Sequence, residues 1–302
     1  MTVASLPATD LEPLTREMLA ARVRDCTRLP ALSSTSNTLR ELLKDDTGYM
    51  QQISDVIRRD PSLTARVLRV VNSVYYGLPQ RVNNIEQAVF FLGIGQVRQL
   101  AMVTPIIEDF QVLTSRTVFP WRHFWQHCIG TAMLTHELVT LVAAPEDELG
   151  YLAGLLHDVG KIVIAAALPQ YFQAIRARVD GGDLNLLAVE REIIGADHAE
   201  IGGMYLEGQG VPPSLIAAAR WHHEPESANS NVAAAVQIAD LLVRHARIGQ
   251  SGNRTVVTRQ ECMLTSGWSI LFGETTAEHR AIARASIERS VARLPIILEG
   301  LV

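Results

Sequence analysis

Lysine is nearly missing from this 302-residue chain: of its 27 basic residues only two are lysines, Lys44 and Lys161. Arginine serves wherever a surface cation suffices, so a lysine marks a chemical choice, a compact point charge where guanidinium would present a planar fork. Cysteine is as sparse. Cys26, Cys128 and Cys262 lie far apart, show no C-x-x-C spacing and leave one over if any two pair. Neither a disulfide framework nor a zinc ribbon is expected, and the three read as buried small hydrophobes. A strong charge of one sign is lacking too, and a formal net charge of −5 argues against wholesale polyanion binding. No stretch of about 18 uncharged apolar residues occurs, and the opening MTVASLPATD has no basic start followed by an apolar run, so a cytoplasmic protein without membrane contact is expected. There is no internal repeat and no low-complexity tract.

What is present is core-forming material, 48% hydrophobic residues, enough for one large or two modest domains. Apolar residues recur at three and four spacing, as in Ile53, Val56, Ile57 and in Leu63, Val67, Leu68, Val71, which predicts helix upon helix. Asp60-Pro61 reads as a helix start, Gly77-Leu78-Pro79 as a loop, and Asn83-Asn84-Ile85-Glu86 as a capping box ahead of Ala88, Val89 and Leu92. The expected fold class is all-α, with an N-terminal helix in 1–28, a helical subdomain over 29–115, a second helical block over 116–248 and two closing helices in 249–302. The second block holds eight of the nine histidines, so any chemistry is expected there.

Within that block, Leu152-Ala153-Gly154-Leu155-Leu156-His157-Asp158-Val159-Gly160-Lys161 sets two metal-capable side chains in a run otherwise fit only for a core. An unpaired buried aspartate there would cost several kcal/mol and needs a cation or hydrogen-bond donors. The bland alternative is a His-Asp pair that caps Gly160 and the following helix. Further candidates are His127, His198, the pair His222-His223 and Asp240. Imidazoles and carboxylates together suit iron, manganese or zinc, and helices separated by loops can aim them into one bundle core. Each also has an ordinary reading: His198 as a helix N-terminal residue, Asp240 as a satisfied surface acid, His-His as coincidence. His123 competes with His127 on the same helical face, while His136, His245 and His279 read as solvated or packing residues.

Taken together, these motifs resemble the HDOD domain, a relative of the HD phosphohydrolases, from about Leu29 to Arg247. The resemblance is carried by Leu29-Pro30-Ala31-Leu32, by Ile57 to Thr64 with Arg66 to Ser73, by Tyr76-Gly77, Ile85 to Ala88 and Leu92-Gly93. Phe124 to Cys128, Gly154 to Lys161, Asp197 to Gly202 and Trp221-His222-His223-Glu224-Pro225 continue it. It implies an HD-like helical bundle with an additional N-terminal helical subdomain. It also implies one or two divalent ions, iron, manganese or similar, on His127, His157, Asp158, His198, His222, His223 and Asp240, with Asp158 and Lys161 catalytic if the chain hydrolyses a phosphoester. One departure stands out: the Gly-Tyr-Pro that follows His-His-Glu in the cyclic di-GMP phosphodiesterases of this superfamily is replaced by Pro225-Glu226-Ser227.

Three functions follow. The first is a signal-transduction module that binds a partner protein or a nucleotide. The second is a metal-dependent phosphodiesterase or phosphatase acting on a cyclic nucleotide or another phosphoester. The third is nucleic-acid binding, through the five arginines between Arg58 and Arg81 and the Gly93-Ile94-Gly95-Gln96-Val97-Arg98 turn. A solvated helix face accounts for those arginines equally well, and aromatics to stack bases are scarce, so nucleic acid is not an expected partner. The arginine- and glutamate-rich segment from Thr255 to Val302 either packs on the histidine block or builds a homo-oligomer interface.

Overall fold

Helix follows helix in the computed structural model, which describes residues 11–25, 81–93, 117–142, 147–182 and 185–299, with single positions 54, 57, 58, 64, 65, 68, 71, 72, 78 and 80. No strand occurs among the described residues, as the all-α reading expects. The Leu29 to Leu32 opening, the Asp60-Pro61 start, Cys26, Lys44, most of the arginine stretch and the turn beyond Gly93 lie outside them.

The helices begin where side chains can satisfy their free amides. α1 (Arg16–Arg24) is shorter than the sequence suggests and starts at Thr15, whose hydroxyl accepts from the Met18 amide. α2 (Ile85–Leu92) is capped one residue later than expected: Asn84 accepts from the Gln87 amide, and the Gln87 side chain accepts from the Asn83 amide at 3.2 Å. Glu86 instead pairs with Arg58 at 2.7 Å. Such a cap is worth about 1 kcal/mol.

α3 (Trp121–Leu141) is the spine. It is 21 residues long and buries residues on nearly every face, the pattern of a central helix. α4 (Asp147–Leu156) lies along it at very short range: a Cβ on Gly154 would fall 2.6 Å from the Ala132 Cα. α5 (Val159–Ala167), α6 (Pro169–Asp180), α7 (Leu186–Ile194), α8 (His198–Gly208), α9 (Pro213–Trp221) and α10 (Asn231–His245) complete the block. By length and composition alone, Leu149–Ala167 could cross a membrane, yet 89% of that window is buried in the bundle and it contains Asp158 and Lys161.

Three helices close the chain rather than two: α11 (Arg259–Met263), α12 (Ser266–Phe272) and α13 (Ala277–Glu299). The break between the first two is set by paired caps, since Thr258 and Glu261 form a capping box and Thr265 caps the next helix. α13 packs on the histidine block, with Ser286 donating to Glu137 at 2.8 Å and Leu294 and Leu298 against the Gly130 position of α3.

Candidate metal centre

Five elements bring the seven expected residues into one buried cluster. His127 projects from α3, His157 and Asp158 stand at the α4–α5 junction, His198 is the first residue of α8, His222 and His223 follow α9, and Asp240 comes from α10. His127, His157, Asp158, His198 and His222 are at most 1% exposed and Asp240 is 5% exposed, so Asp240 is no surface acid. Asp158 makes no capping hydrogen bond to the helix it precedes, which removes the bland reading of the His-Asp pair. His123, the competitor on the same helix, is exposed.

Asp158 sits at the middle. Its Oδ2 lies 3.4 Å from His157 Nε2 and 3.8 Å from His127 Nε2, while its Oδ1 lies 3.1 Å from His198 Nε2 and 3.9 Å from His222 Nε2. Asp240 Oδ1 closes the first side, 3.1 Å from His127 Nε2. Two groups of ligand atoms result, each within a 4.8 Å span: His127, His157 and Asp158 in one, His198, His222 and His223 in the other. One carboxylate oxygen of Asp158 serves each.

The imidazoles are oriented from behind. His157 Nδ1 donates to the Gly154 carbonyl at 2.7 Å and His222 Nδ1 to the Ala219 carbonyl at 2.9 Å, so in each ring the proton faces outward and the Nε2 lone pair faces the cluster. This backing of a ligand ring by a carbonyl or carboxylate is how metal-binding histidines are usually held. His198 Nδ1 lies 2.6 Å from Glu190 Oε2, which also accepts from the His198 amide. Glu190 is a residue behind the cluster that the sequence does not single out. Its signal was position: with Leu186, Val189 and Ile194 it lies on the apolar face of α7, and it is 2% exposed.

Protonation follows from these contacts. Burial works against the Asp158 carboxylate, but Lys161, His157 and His198 more than offset it and hold the group well below the usual range. Asp240 is held low in the same way, Arg244 and His127 outweighing burial. Burial, reinforced by His157, pushes His222 down to about 3, burial with His222 pushes His223 well down, and burial lowers His127 despite Asp240. Those three rings are held neutral, and His223 Nε2 lies 3.0 Å from His198 Nε2. His198 differs: burial would lower it, but Glu190 and Asp158 on its two nitrogens raise it to about 9. A metal at its Nε2 must displace that proton.

The residues fit a metal. Among the described residues His157 Nε2 and His222 Nε2 are buried with no hydrogen-bond partner and face Asp158, and His127 Nε2, also buried without a well-formed hydrogen bond, stands between Asp240 Oδ1 at 3.1 Å and Asp158 Oδ2 at 3.8 Å. Each such buried polar atom costs about 1–3 kcal/mol unless something else coordinates it. Neutral imidazoles with two ionised carboxylates are a donor set for iron, manganese or zinc.

Backbone contacts through glycine set the spacing. A Cβ on Gly160 of α5 would fall 1.8 Å from the His198 carbonyl oxygen and 2.8 Å from the Gly202 amide of α8, so only glycine lets the Asp158 and His198 elements meet this closely. Lys161 turns back to Asp158, its Nζ donating to Oδ2 at 2.6 Å. Solvent approaches from the other side, where a recess of about 340 Å³ between α1, α7, α8 and α9 is lined by Arg16, Arg191, Asp197, Glu200, Trp221 and His223.

An all-helical bundle around a buried histidine-aspartate cluster of this kind defines a helical domain whose donor groups could hold a divalent metal. More narrowly, the chain belongs to the HDOD domain family, whose model matches residues 29–225. Among solved structures, it resembles an HDOD domain protein of unknown function from Geobacter sulfurreducens with a TM-score of 0.80 at 21% identity, over 95% of this chain and 99% of that one. It also resembles a Shewanella amazonensis protein provisionally named a phosphohydrolase, with a TM-score of 0.70 at 23% identity, over 94% and 98% of the two chains. A Marinobacter aquaeolei protein provisionally named for signal transduction matches with a TM-score of 0.68 at 23% identity, over 97% of this chain and 62% of that one. At these identities the likeness concerns the fold. A curated Treponema pallidum relative, itself uncharacterized, is 23% identical over 210 residues, which span 68% of this chain but 39% of that protein.

Proposed function

We propose that this HDOD protein is a signal-transduction protein whose histidine-aspartate cluster is a working divalent-metal centre that hydrolyses a phosphoester. The observation that carries this reading is the set of buried Nε2 atoms on His127, His157 and His222, none in a well-formed hydrogen bond, that converge on Asp158. An inherited polar core with no ligand to bind would gain by pairing these atoms or replacing them with apolar groups. Metal at the two groups, with Asp158 between them, would supply Lewis acidity for a phosphoryl oxygen and for the attacking water. The chain's own part is to hold His127, His222 and His223 neutral, to keep Asp158 ionised through Lys161, and to admit substrate through the recess beside His223. Lys161 also brings a positive charge to the cluster, where it favours charge building on the phosphoryl oxygens. Nothing in Pro225-Glu226-Ser227 favours cyclic di-GMP over other phosphoesters.

A second reading has one observation of its own. Lys161 is 6% exposed and turned onto Asp158, an arrangement that also suits a centre whose metal is structural or sensory, in a module that binds a partner protein or a nucleotide. The two part on turnover. Protein loaded with Mn²⁺ or Fe²⁺ is assayed on bis(p-nitrophenyl) phosphate and a panel of cyclic dinucleotides, beside Asp158→Ala. Turnover that needs metal and is lost in the variant supports the hydrolase. A metal-loaded protein inert on every substrate supports the regulatory module.

A further inference from the structure

Residues 254–299 lie beyond the family match, yet two side chains of α10 connect them to the cluster: Arg244, between Asp240 and the Thr255 carbonyl, and Gln237, which reaches the histidine pair. We infer that Gln237 is a positioning residue that makes the His223 side of the centre depend on docking of the C-terminal segment. The inference rests on the metal-centre reading and concerns how that centre is controlled.

Gln237 lies on α10, three residues before Asp240. Its Nε2 donates to the main-chain carbonyl of His223 at 3.0 Å. Its Oε1 accepts from the other direction, from Thr265 Oγ1 at 2.5 Å and from the Gly267 amide at 2.9 Å. One amide thus ties the His222-His223 loop to the start of α12, and no apolar or shorter side chain could replace it at both ends. The docking is close. A Cβ on Gly267 would fall 2.6 Å from the Ala234 carbonyl and 3.1 Å from Gln237 Oε1, so α12 reaches α10 there only through glycine. Ser266 Oγ adds a second tie, donating at 2.7 Å to Glu226 in the 3₁₀ turn (Pro225–Ser227) that follows the histidine pair.

His223 is the candidate ligand most in need of such support. It stands in the loop after α9, not on a helix, and is the one member of the cluster that is partly exposed. The ring position follows the main chain, and the main chain is held at its carbonyl by Gln237. A ligand misplaced by even about 0.5 Å binds metal poorly. Any event that lifts α12 from α10 removes two of the three hydrogen bonds that fix the Gln237 amide and frees the His223 loop.

Equilibrium dialysis of the full chain against rising free Mn²⁺, with bound manganese counted per chain, tests this. Gln237→Glu keeps an acceptor for Thr265 and Gly267 but sets an oxygen against the His223 carbonyl. Gly267→Ala leaves the amide intact but obstructs the docking of α12. Thr265→Val removes one donor and is a milder perturbation should Gly267→Ala fail to fold. The wild type is expected to bind about two ions, the pattern its two donor groups provide. In Gln237→Glu and in the docking variant, half-saturation of one ion is expected to rise about tenfold or more, as for lost outer support of a ligand, while the other ion binds as before. Circular dichroism confirms that the helices remain. Wild-type uptake of two ions, with folded variants that bind both as tightly as the wild type or lose both equally, overturns the coupling and leaves the metal centre standing. A wild type that takes up no Mn²⁺ overturns the metal-centre reading, and the coupling with it.

Discussion

Replacing Gly160 by alanine is expected to separate the two helices that carry Asp158 and His198, and the cost can be worked from the backbone. The added Cβ would stand 1.8 Å from the His198 carbonyl oxygen, where real Cβ contacts essentially never fall below 3.0 Å, so α5 and α8 must part by about 1.2 Å along that direction. The obstacle is backbone on both sides, with the Gly202 amide only 2.8 Å away, so no rotamer can relieve it. Overpacking typically costs about 1–3 kcal/mol, and this site belongs at or above the upper end. For a domain of this size about 3 kcal/mol lowers Tm by about 6–12 °C. A control lies on the partner helix. Gly208, at the end of α8, has nothing within 4 Å of its would-be Cβ, so Gly208→Ala should gain about 0.5–1 kcal/mol and raise Tm by about 1–4 °C. Thermal unfolding with metal analysis on both variants gives the comparison. A Gly160→Ala protein with unchanged Tm and unchanged metal content would refute the claim that this backbone contact sets the geometry of the centre.

Other perturbations separate the members of the cluster. Glu190→Gln keeps the shape behind His198 but removes its charge, and metal affinity is expected to fall about 10–100-fold with the fold intact; unchanged affinity in a metal titration would mean that Glu190 merely fills space. His127→Ala should abolish binding at its donor group, whereas His123→Ala, exposed one turn earlier on the helix, should leave metal content as in the wild type; equal loss in both variants would contradict the assignment. Chelation should lower Tm, because an ion at about 100 times its Kd adds about 2.7 kcal/mol, or about 5–11 °C at this size; identical melting with and without chelator in metal-containing protein would argue that the ion lies outside the folded core.

The centre was largely legible in the sequence because its residues are out of place there. A His-Asp pair inside an apolar run, and a lysine in a chain with only two, are anomalies that a core-only reading cannot absorb. What escaped notice is whatever depends on the distance between elements. Glu190 betrayed itself only as a charge on the apolar face of α7, and Gln237 carried no signal, since a glutamine on a helix is ordinary until both of its neighbours are known. Gly160 and Gly202 lie in separate helices, and each alone could have been a loop or capping glycine. Local capping chemistry is ambiguous by a residue, so Asn84 with Gln87 displaced the expected Asn83 with Glu86, and two caps seven residues apart, Thr258 and Thr265, made three closing helices from two.

The central claim is that the cluster binds metal, and the most direct measurement is the metal content of untagged protein purified anaerobically, beside the same analysis of Asp158→Ala. The arrangement of His127 and His157 on one side of Asp158 and His198, His222 and His223 on the other predicts about two iron, manganese or similar ions per chain, lost or sharply reduced in the variant. Wild-type protein that is folded, free of metal and unable to take up Fe²⁺ or Mn²⁺ would contradict it.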